Sequence, residues 1–433
     1  MNGSLRSALL GDLERHAFAA GAIDRRVGAE TELIPVESET GRRCPLDDGP
    51  LALLPFLRRW GSRQGWTEDL TAKGAPCFLL PEGGDLTFEP GGQLEYSSPP
   101  CRSPSALLAL LRGVVTPLRT AAESEGITLL AIGLDPVNGV EQAPLVLRSE
   151  RYLRMAEYLA RCGPAGARMM RQTASLQINL DIGAEPWLRW RVLNAAAPYF
   201  VAIFANSPLS AGADAGCASA RAQVWRAVDP ERTGLPWRAH DPVGRYLDFA
   251  LDAPALVVRT PADEHPRFGD WAVRCGAALE PWHEHLTTLF PEVRPRGHFE
   301  LRSTDALAPD WYAAPLALAT GLIYDPPSLH AAADLLGEPD TELLDRAGRL
   351  GLRDHTIGRT APDLTTIALE GCERLGAGYF HPADLDEARA FFERFTWCGR
   401  SPADELRPPR GMPSWRTNVR SGSAPHPLHT VPM

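Results

Sequence analysis

Polar side chains at every second position mark several short segments of the sequence, and this spacing places them on one face of a β-strand. Segment 27–36 carries two glutamates in this way, segment 173–181 a run of hydroxyl and amide groups, and segment 298–303 a charged trio. A fourth segment, 86–96, is interrupted by Pro-Gly-Gly, which is a turn or bulge signal. The polar positions are Glu30 and Glu32; Thr173, Ser175, Gln177, Asn179 and Asp181; His298, Glu300 and Arg302; and Glu89, Gln93 and Glu95.

These strand faces are unusually acidic. Any one of them is typical of an antiparallel sheet with one side in water. Solvated faces usually mix lysine, threonine and serine, whereas this set contains five glutamates and one arginine. If the strands share a covered sheet, the carboxylates lie together, and like charges at about 5 Å repel by several kcal/mol even at an effective dielectric of about 20. The five are Glu30, Glu32, Glu89, Glu95 and Glu300.

Divalent cations would supply the counter-charge that such a cluster needs. Oxygen ligands without a nearby cysteine, and without an H-E-x-x-H motif, favour Mg²⁺, with Mn²⁺ as an alternative, over zinc. Magnesium on a carboxylate-lined sheet most often binds nucleotide phosphates, so ATP is the expected substrate, and the planar guanidinium of Arg302 suits bidentate phosphate contact. The tripeptide His283-Glu284-His285 resembles a ligand cluster only superficially, because a helical setting turns its two histidines apart. We expect a surface or packing role for it.

Other chemistries are disfavoured by residues that the chain lacks. Lys73 is the single lysine, and its surroundings do not match the phosphate-binding loop G-x-x-x-x-G-K-[ST]. A Schiff-base mechanism would have to use Lys73 itself. The eight cysteines form no C-x-x-C pair. No G-x-G-x-x-G follows a strand, so a doubly wound dinucleotide-binding fold is not expected.

Composition narrows the class of partner. The 433 residues are 44% apolar and 23% charged, which is ordinary for a globular protein. A net charge of −10 disfavours nucleic acid and anionic membranes as partners. The first twenty residues lack the continuous apolar stretch of a secretory signal, and no uncharged apolar run is long enough to span a membrane. We therefore expect a cytoplasmic protein.

Helices and strands must position the polar faces. Apolar residues at helical spacing predict a helix over 105–125, with Ser105 as its N-cap. Similar patterns predict further helices over 149–161, 187–206, 243–251, 328–337, 363–376 and 384–397. Helices and strands do not alternate strictly, so an α+β architecture fits best. Residues 404–433 are rich in Pro, Ser and Arg without apolar periodicity, which predicts a flexible tail.

Six strings in sequence order resemble the glutamate–cysteine ligases of the plant and proteobacterial branch, and the ergothioneine-pathway ligases of actinobacteria are also similar. They are GAETE at 28–32, FEPGGQLE at 88–95, MMRQTASLQINLD at 169–181, FANSP at 204–208, DPERTG at 229–234 and HLTTLFPEVRPRGHFELR at 285–302. The resemblance runs from about 27 to 325. It implies a glutamine-synthetase-like fold, in which a curved antiparallel sheet flanked by helices forms a funnel floored by metal-binding carboxylates. We expect one catalytic domain over 1–400, with a C-terminal helical part at 326–400.

The resemblance also implies an activity and a role for each matched residue. Family members use Mg-ATP to phosphorylate the side-chain carboxylate of glutamate; the amino group of cysteine then attacks the acyl phosphate, giving γ-glutamylcysteine, ADP and phosphate. The matched residues are Glu30, Glu32, Glu89, Glu95 and Glu300 as metal ligands; Glu300 and Arg302 as catalytic residues; Gln177, Asn179 and Arg302 at the nucleotide; and Arg221 and Tyr246 at the amino-acid substrate.

Two alternatives stay open at this point. A ligase of the same fold could use a different acceptor amine, because nothing in the sequence singles out the thiol of cysteine. A non-catalytic metabolite-binding relative is the other alternative, although a protein that only binds has no need of the full metal-binding set. The chain also departs from its relatives at Thr31, which replaces a basic residue between the paired glutamates, at Gln177, where distant relatives have a histidine ligand, and at His298, where many have tyrosine.

Overall fold

The computed structural model describes residues 3–19, 25–71, 74–256, 258, 264–276 and 279–407. Lys73 lies outside these residues. The strands are β1 Val27–Glu37, β2 Thr67–Leu70, β3 Pro76–Leu79, β4 Asp85–Phe88, β5 Leu94–Ser97, β6 Ile127–Leu130, β7 Ser175–Leu180, β8 Leu209–Ser210, β9 Ala213–Asp214, β10 Thr233–Gly234, β11 Phe290–Pro291, β12 Val293–Pro295 and β13 Phe299–Asp305.

Helices surround the strands. They are α1 Gly3–Asp12, α2 Leu53–Arg63, α3 Pro104–Ser124, α4 Glu150–Cys162, α5 Ala165–Gln172, α6 Pro186–Ile203, α7 Ala220–Arg226, α8 Pro242–Asp252, α9 Phe268–Cys275, α10 Leu279–Leu286, α11 Ala313–Tyr324, α12 Pro326–Leu336, α13 Thr341–Leu350, α14 His355–Leu375, α15 Pro382–Arg394 and α16 Pro402–Leu406. A π-helical turn, Leu13–Ala17, follows α1 directly.

A nine-stranded sheet forms the centre of the protein, in the order β12-β13-β7-β1-β5-β4-β3-β2, with β6 paired to the second half of β1. Every pairing within it is antiparallel. All four segments predicted as strands lie in this sheet. Segment 86–96 forms the β4–β5 hairpin, whose turn contains Pro90-Gly-Gly. The α+β class and the antiparallel sheet flanked by helices are confirmed.

The two faces of β1 have different surroundings, as its alternating pattern predicts. Val27, Ala29 and Leu33 are buried in the main hydrophobic core, which also contains side chains of helices α3, α6 and α11. Thr31, on this same face, forms a 3.0 Å hydrogen bond between its Oγ1 and the hydroxyl of Tyr312, which precedes α11. The apolar face therefore fixes the strand in the core and leaves the glutamate face to the opposite side of the sheet.

The predicted helices are all present, but two details differ from expectation. Helix α3 is capped by Ser103, whose Oγ accepts from the backbone N–H of Ala106 at 3.1 Å, because Pro104 occupies the first helical position. Ser105, the predicted cap, instead accepts from the N–H of His381. Helices α2, α5, α7, α9, α13 and α16 were not predicted, and neither was α11. It is buried along its whole length and apolar on every side, so its sequence has no polar face to reveal a helical period.

The C-terminal helices pack against α11 and α6 and extend to α16. Residues 404–406, placed by the sequence at the start of the tail, close this short helix, which Ser401 and Asp404 cap reciprocally. Ala403 donates its N–H to the carbonyl of Ala205, which holds the helix on the core. Residues 408–433 lie outside the described residues, so the flexible tail stays a prediction. Across the described ranges, no helix is both long and apolar enough to cross a membrane.

Candidate active site

The polar faces of the central strands meet at one cavity. Glu32 of β1 lies directly opposite Glu95 of β5, and Glu30 of β1 lies opposite Gln177 of β7. Opposed side chains on one face of an antiparallel pair have Cβ atoms about 4.5–5.5 Å apart. The sheet register therefore brings acidic groups from distant parts of the sequence into contact range.

Glu89 reaches the same cavity from the β4–β5 turn. The turn is closed by hydrogen bonds of 2.8 Å from Glu89 N to Gln93 O and from Gly92 N to Glu89 O. It also packs tightly on α5, since a Cβ at Gly91 would lie 2.5 Å from the backbone of Arg171. Only glycine fits there, which explains why the Pro-Gly-Gly sequence positions the acidic residues on either side of it.

Helices α4, α5 and α7 cover the glutamate face and enclose a cavity of about 240 Å³. The floor is polar, whereas the roof combines basic and apolar side chains. The lining includes Glu30, Glu32, Glu89, Glu95, Ser175, Gln177 and Arg302 from the sheet and its turn, and Arg151, Tyr152, Met155, Met169, Met170, Arg221 and Trp225 from the helices. The face is thus covered by protein, and the interpretation that it looks into open water is wrong.

The carboxylates of β1 and β5 resist ionisation. Burial raises the pKa of Glu32 to about 7, with a further rise from the nearby charge of Glu89. Burial and the neighbouring glutamates, Glu89 foremost, raise the pKa of Glu95 well above its ordinary value. Burial and Glu300 likewise raise the pKa of Glu30. The protein's own side chains therefore supply too little positive charge to balance these three carboxylates.

Hydrogen bonds fix the orientation of the paired glutamates. Glu32 accepts from the backbone N–H of Ser175 at 2.8 Å, from its hydroxyl at 3.0 Å and from Nε2 of Gln177 at 3.2 Å. Glu30 accepts from Nδ2 of Asn179 at 3.2 Å. The polar face of β7 thus serves to hold the carboxylates of β1 in place.

Glu300 differs from the other glutamates because arginines surround it. Nε and Nη2 of Arg294 donate to its two carboxylate oxygens at 2.5 and 2.8 Å, and Nη1 of Arg302 donates to Oε1 at 3.0 Å. Burial alone would raise the pKa of Glu300, but Arg294 and Arg302 outweigh it, and the pKa lies below its ordinary value. Glu300 is therefore ionised and already balanced by charge. It does not line the cavity as the other four glutamates do, but its partners Arg294 and Arg302 do.

A β-bulge aims Arg302 into the cavity. The register between β13 and β7 shifts between Leu301 and Thr304, so two residues of β13 lie across from Gln177. Nη1 of Arg302 donates to Oε1 of Gln177 at 2.5 Å, and its guanidinium lies 5.4 Å from the ring centre of Trp225. The arginine is thereby held between the carboxylate floor and the roof.

Two predicted site residues, Asn179 and Tyr246, line other cavities, whereas Arg221 does not. Asn179 lines a separate cavity together with His298, although it also bonds to Glu30. Tyr246 is buried and borders a third cavity, of about 340 Å³, which shares Arg151, Arg294 and Arg296 with the central one. Arg221 lines the central cavity and donates to the carbonyl of Arg302 at 2.7 Å. The two residues predicted for the amino-acid substrate thus lie in adjoining cavities.

The sequence argument missed Arg294, Arg151 and Trp225. Arg294 lies in the string 285–302 and faces Glu300 across the β12–β13 pair, so a search for period-2 partners in that string would have found it. Arg151 and Trp225 reach the site from helices α4 and α7. No sequence pattern within these helices marks the two residues as members of a site. Their selection depends on the tertiary packing of α4 and α7 over the sheet.

The carboxylates fit magnesium rather than a compact all-protein metal cage. Among the residues that the structure describes, no three of the glutamates bring one oxygen each within 4.8 Å of one another. Mg²⁺ is usually held by one or two carboxylates together with waters and substrate phosphates. Four glutamates spread over one covered floor therefore suit metal ions that bridge protein and nucleotide.

Comparison with known proteins agrees with the sequence resemblance. The model of the family described as glutamate-cysteine ligase family 2 (GCS2) matches residues 26–417. The chain is 37% identical over 390 residues to the glutamate–cysteine ligase EgtA of Mycolicibacterium smegmatis, covering 83% of this chain and 88% of that protein. It is 30% identical over 387 residues to the chloroplastic glutamate–cysteine ligase of Arabidopsis thaliana, covering 83% of this chain and 73% of that protein.

A solved structure shows the same fold. The glutamate–cysteine ligase of Francisella tularensis, in complex with AMP, has a TM-score of 0.53 over 89% of this chain and 84% of that chain. At 12% sequence identity this likeness concerns the fold alone. The match to the family model and the identity to two full-length relatives go further, and they show that this chain belongs to glutamate–cysteine ligase family 2.

Proposed function

We propose that this protein is an ATP-dependent ligase that joins the γ-carboxylate of L-glutamate to the amino group of L-cysteine. The observation that carries the proposal is a single covered cavity with a glutamate floor and an arginine-rich wall. The names of the relatives, which are glutamate–cysteine ligases, support the same reaction. ATP is the substrate that drives it.

The reaction needs two group transfers in one place. A γ-carboxylate oxygen of glutamate attacks the γ-phosphorus of ATP, the bond to the β-phosphate oxygen breaks, and ADP leaves. The amine of cysteine then attacks the carbonyl carbon of the acyl phosphate, loses a proton, and expels phosphate to leave an amide. Both steps gather negative charge on oxygen, so positioned cations dominate their catalysis.

Magnesium, when bound, would neutralise the transferring phosphoryl group. We assign Glu30, Glu32, Glu89 and Glu95 as its ligands, because all four line the cavity and because burial and neighbouring carboxylates raise the pKa of Glu30, Glu32 and Glu95. Glu300 is also assigned as a ligand: among the described residues its Oε2 accepts one hydrogen bond, from Nε of Arg294, which leaves that oxygen a second lone pair for a metal. Manganese fits the same oxygen ligands.

Arg302 is assigned to the phosphates and to the charge of the tetrahedral intermediate. It lies in the cavity, its fork suits phosphate oxygens, and Arg294 keeps Glu300 in the position from which it orients Arg302. Gln177 holds the other side of the guanidinium, whereas Asn179 acts on the site through Glu30. We place both amides at the nucleotide and metal region.

The amino-acid substrates are assigned to the arginine side of the site. Arg151, Arg294 and Arg296 separate the central cavity from the one that Tyr246 borders, and cationic groups there suit the α-carboxylate of an amino acid. Arg221, on the central side of this boundary, is the second predicted substrate contact. A different acceptor amine is an alternative, since no residue described at the cavity singles out the thiol of cysteine.

The decisive experiment measures ADP release and identifies the product. ADP should appear only when glutamate, cysteine and Mg²⁺ are all present, and mass spectrometry should show γ-glutamylcysteine. A panel of other amino acids and amines should give slower product formation than cysteine. If another amine gives faster turnover, that amine and not cysteine is the acceptor. Sustained ATP hydrolysis without glutamate would contradict the ligase proposal.

Partner and location predictions have less support. The expectation that nucleic acid is no partner rests on the net charge and stays a prediction. The cytoplasmic location also stays a prediction, because the names of some relatives place them in chloroplasts.

A further inference from the structure

A second group of metal-binding side chains lies outside the glutamate-floored cavity. It consists of Asp12, His16 and His283, whose ligand atoms all lie within 4.8 Å of one another. Asp12 ends α1, and His16 follows four residues later in the π-helical turn, so the two side chains are one helical turn apart. His283 comes from α10 and is 271 residues away from Asp12 in the sequence.

The two histidines of the His283-Glu284-His285 tripeptide have separate roles, as the sequence predicted. His285 is buried, stacks on Phe268 with ring centres 4.2 Å apart, and bonds through Nε2 to the carbonyl of Ala250 at 2.7 Å. His283 points to the other side of α10, toward Asp12. Only the tertiary structure shows that His283 has metal-binding neighbours in the N-terminal segment.

The carboxylate of Asp12 is the centre of the group. Its Oδ1 lies 2.9 Å from Nδ1 of His16, and its Oδ2 lies 3.0 Å from Nε2 of His283. Asp12 is buried, but the side chains of His16 and His283 are 63% and 48% exposed, so an ion can reach them from solvent. Trp282 donates from Nε1 to Oδ2 at 3.0 Å, which fixes the carboxylate from behind as outer hydrogen bonds do in metal sites.

Two imidazole nitrogens and one carboxylate oxygen are a ligand set of open zinc sites, which keep a fourth position for water. Bonds of about 2.0–2.1 Å in a tetrahedron place neighbouring ligand atoms about 3.3 Å apart. Oδ1 of Asp12 lies 2.9 Å from Nδ1 of His16 and 3.1 Å from Nε2 of His283, so these two separations need to widen by only a few tenths of an ångström, and the two imidazole nitrogens lie within 4.8 Å of each other. We propose that Asp12, His16 and His283 bind a divalent transition metal of the zinc class, at a site separate from the magnesium ligands.

The electrostatics define which metal can bind. The group borders the cavity of about 340 Å³ that Arg151, Arg294 and Arg296 also line, and these cations oppose a further positive charge. Arg294 is balanced by Glu300, and Arg151 donates to the hydroxyl and carbonyl of Thr287. Affinity must therefore come from directed nitrogen ligation. Mg²⁺, which prefers oxygen ligands, should not compete.

The competing explanation is that these three side chains only form hydrogen bonds that tie the N-terminal segment to α10. Binding of Co²⁺ distinguishes a metal site from such a cluster. The full-length protein is treated with a chelator, desalted and titrated with CoCl₂ while its visible spectrum is recorded. His16→Gln and His283→Gln remove one ligand each from exposed positions, so both variants should fold, which their thermal unfolding without metal will verify. His330→Gln is the matched control, since the side chain of His330 is 61% exposed and lies 3.2 Å from the carboxylate of Glu185.

We expect one equivalent of Co²⁺ to produce visible bands in the wild type and in His330→Gln, with at least a tenfold loss of affinity in the other two variants. Zn²⁺ should remove the bands, whereas excess Mg²⁺ should leave them. Zn²⁺ should also raise the unfolding temperature of the wild type but not of the two variants, because it binds the native site. Absence of bands at millimolar Co²⁺, or bands that persist in both variants, as binding to cysteine thiolates would give, overturns the proposal.

Discussion

The guanidinium of Arg294 forks onto the carboxylate of Glu300, with Nε 2.5 Å from Oε2 and Nη2 2.8 Å from Oε1. The side chain of Glu300 is fully buried and that of Arg294 is 12% exposed, and Arg302 adds a third hydrogen bond to the same carboxylate. Glu300 is therefore balanced within the protein, whereas the glutamates of β1 and β5 are not. Removing one partner of a buried ion pair costs about 3–5 kcal/mol, because the other charge is left without compensation.

Glu300→Gln should therefore lower both stability and activity. The volume is unchanged, but Arg294 and Arg302 lose their counter-charge, and the proposed metal region loses one negative group. We expect kcat for ADP release to fall about 100-fold, a typical loss for one electrostatic contact in an active site. The unfolding temperature should fall as well. Steady-state kinetics and calorimetry measure the two effects.

Glu373→Gln is the control for that substitution. Glu373 pairs with Arg389 on the surface, with 53% of its side chain exposed, so its loss should change neither quantity appreciably. Near-normal turnover of Glu300→Gln, measured at a temperature at which the variant is folded, would contradict the role assigned to Glu300.

Arg302→Lys should impair the chemical step although the charge is kept. Lysine offers a point charge on a flexible stem and cannot bond Gln177, Glu300 and a phosphate group with one planar fork. We expect kcat to fall at least about tenfold. The surface substitution Arg389→Lys should be silent. Wild-type kcat and KM for ATP in Arg302→Lys would remove Arg302 from the phosphate site.

Gln177→Glu tests the amide that bridges two opposite charges. Oε1 of Gln177 accepts from Arg302 and Nε2 donates to Glu32, so each end of the amide faces the partner that it suits. A carboxylate there loses the donor and adds charge beside Glu32, which should destabilise the metal-free protein by about 1–3 kcal/mol. Mg²⁺ should restore much of this loss. A variant as stable as the wild type without metal would refute the bridging role.

The raised pKa values of the floor predict a pH-dependent effect of Mg²⁺ on stability. The pKa of Glu32 is about 7 in the folded protein against an ordinary value of 4.5, so the folded state binds more protons between these values. Stability of the metal-free protein should then fall as pH rises from about 4.5 through 7, since raised carboxyl pKa values favour the folded state at low pH. Mg²⁺ competes with these protons. It should raise the unfolding temperature more at about pH 8 than at about pH 6; an equal shift at both would count against glutamate ligands.

The alternating segments made the sheet and its acidic face predictable. Glu30 and Glu32 share a face because side chains in a strand repeat every two residues, and this holds whatever the rest of the chain does. The β4–β5 turn was predictable for a similar reason, because Pro-Gly-Gly cannot continue a strand. The cap of α3 was misplaced by two residues, since both Ser103 and Ser105 offer a hydroxyl and only the backbone conformation selects between them.

The sequence by itself determined the strands, the acidic character of one sheet face and the family, because these depend on local periodicity and on ordered strings. Tertiary structure alone decided which charges are balanced. Arg294 pairs with Glu300 through strand register, helices α4, α5 and α7 cover the floor, and α10 brings His283 to Asp12. Electrostatic energy depends on distance and burial in space, and neither quantity can be obtained from separation along the chain.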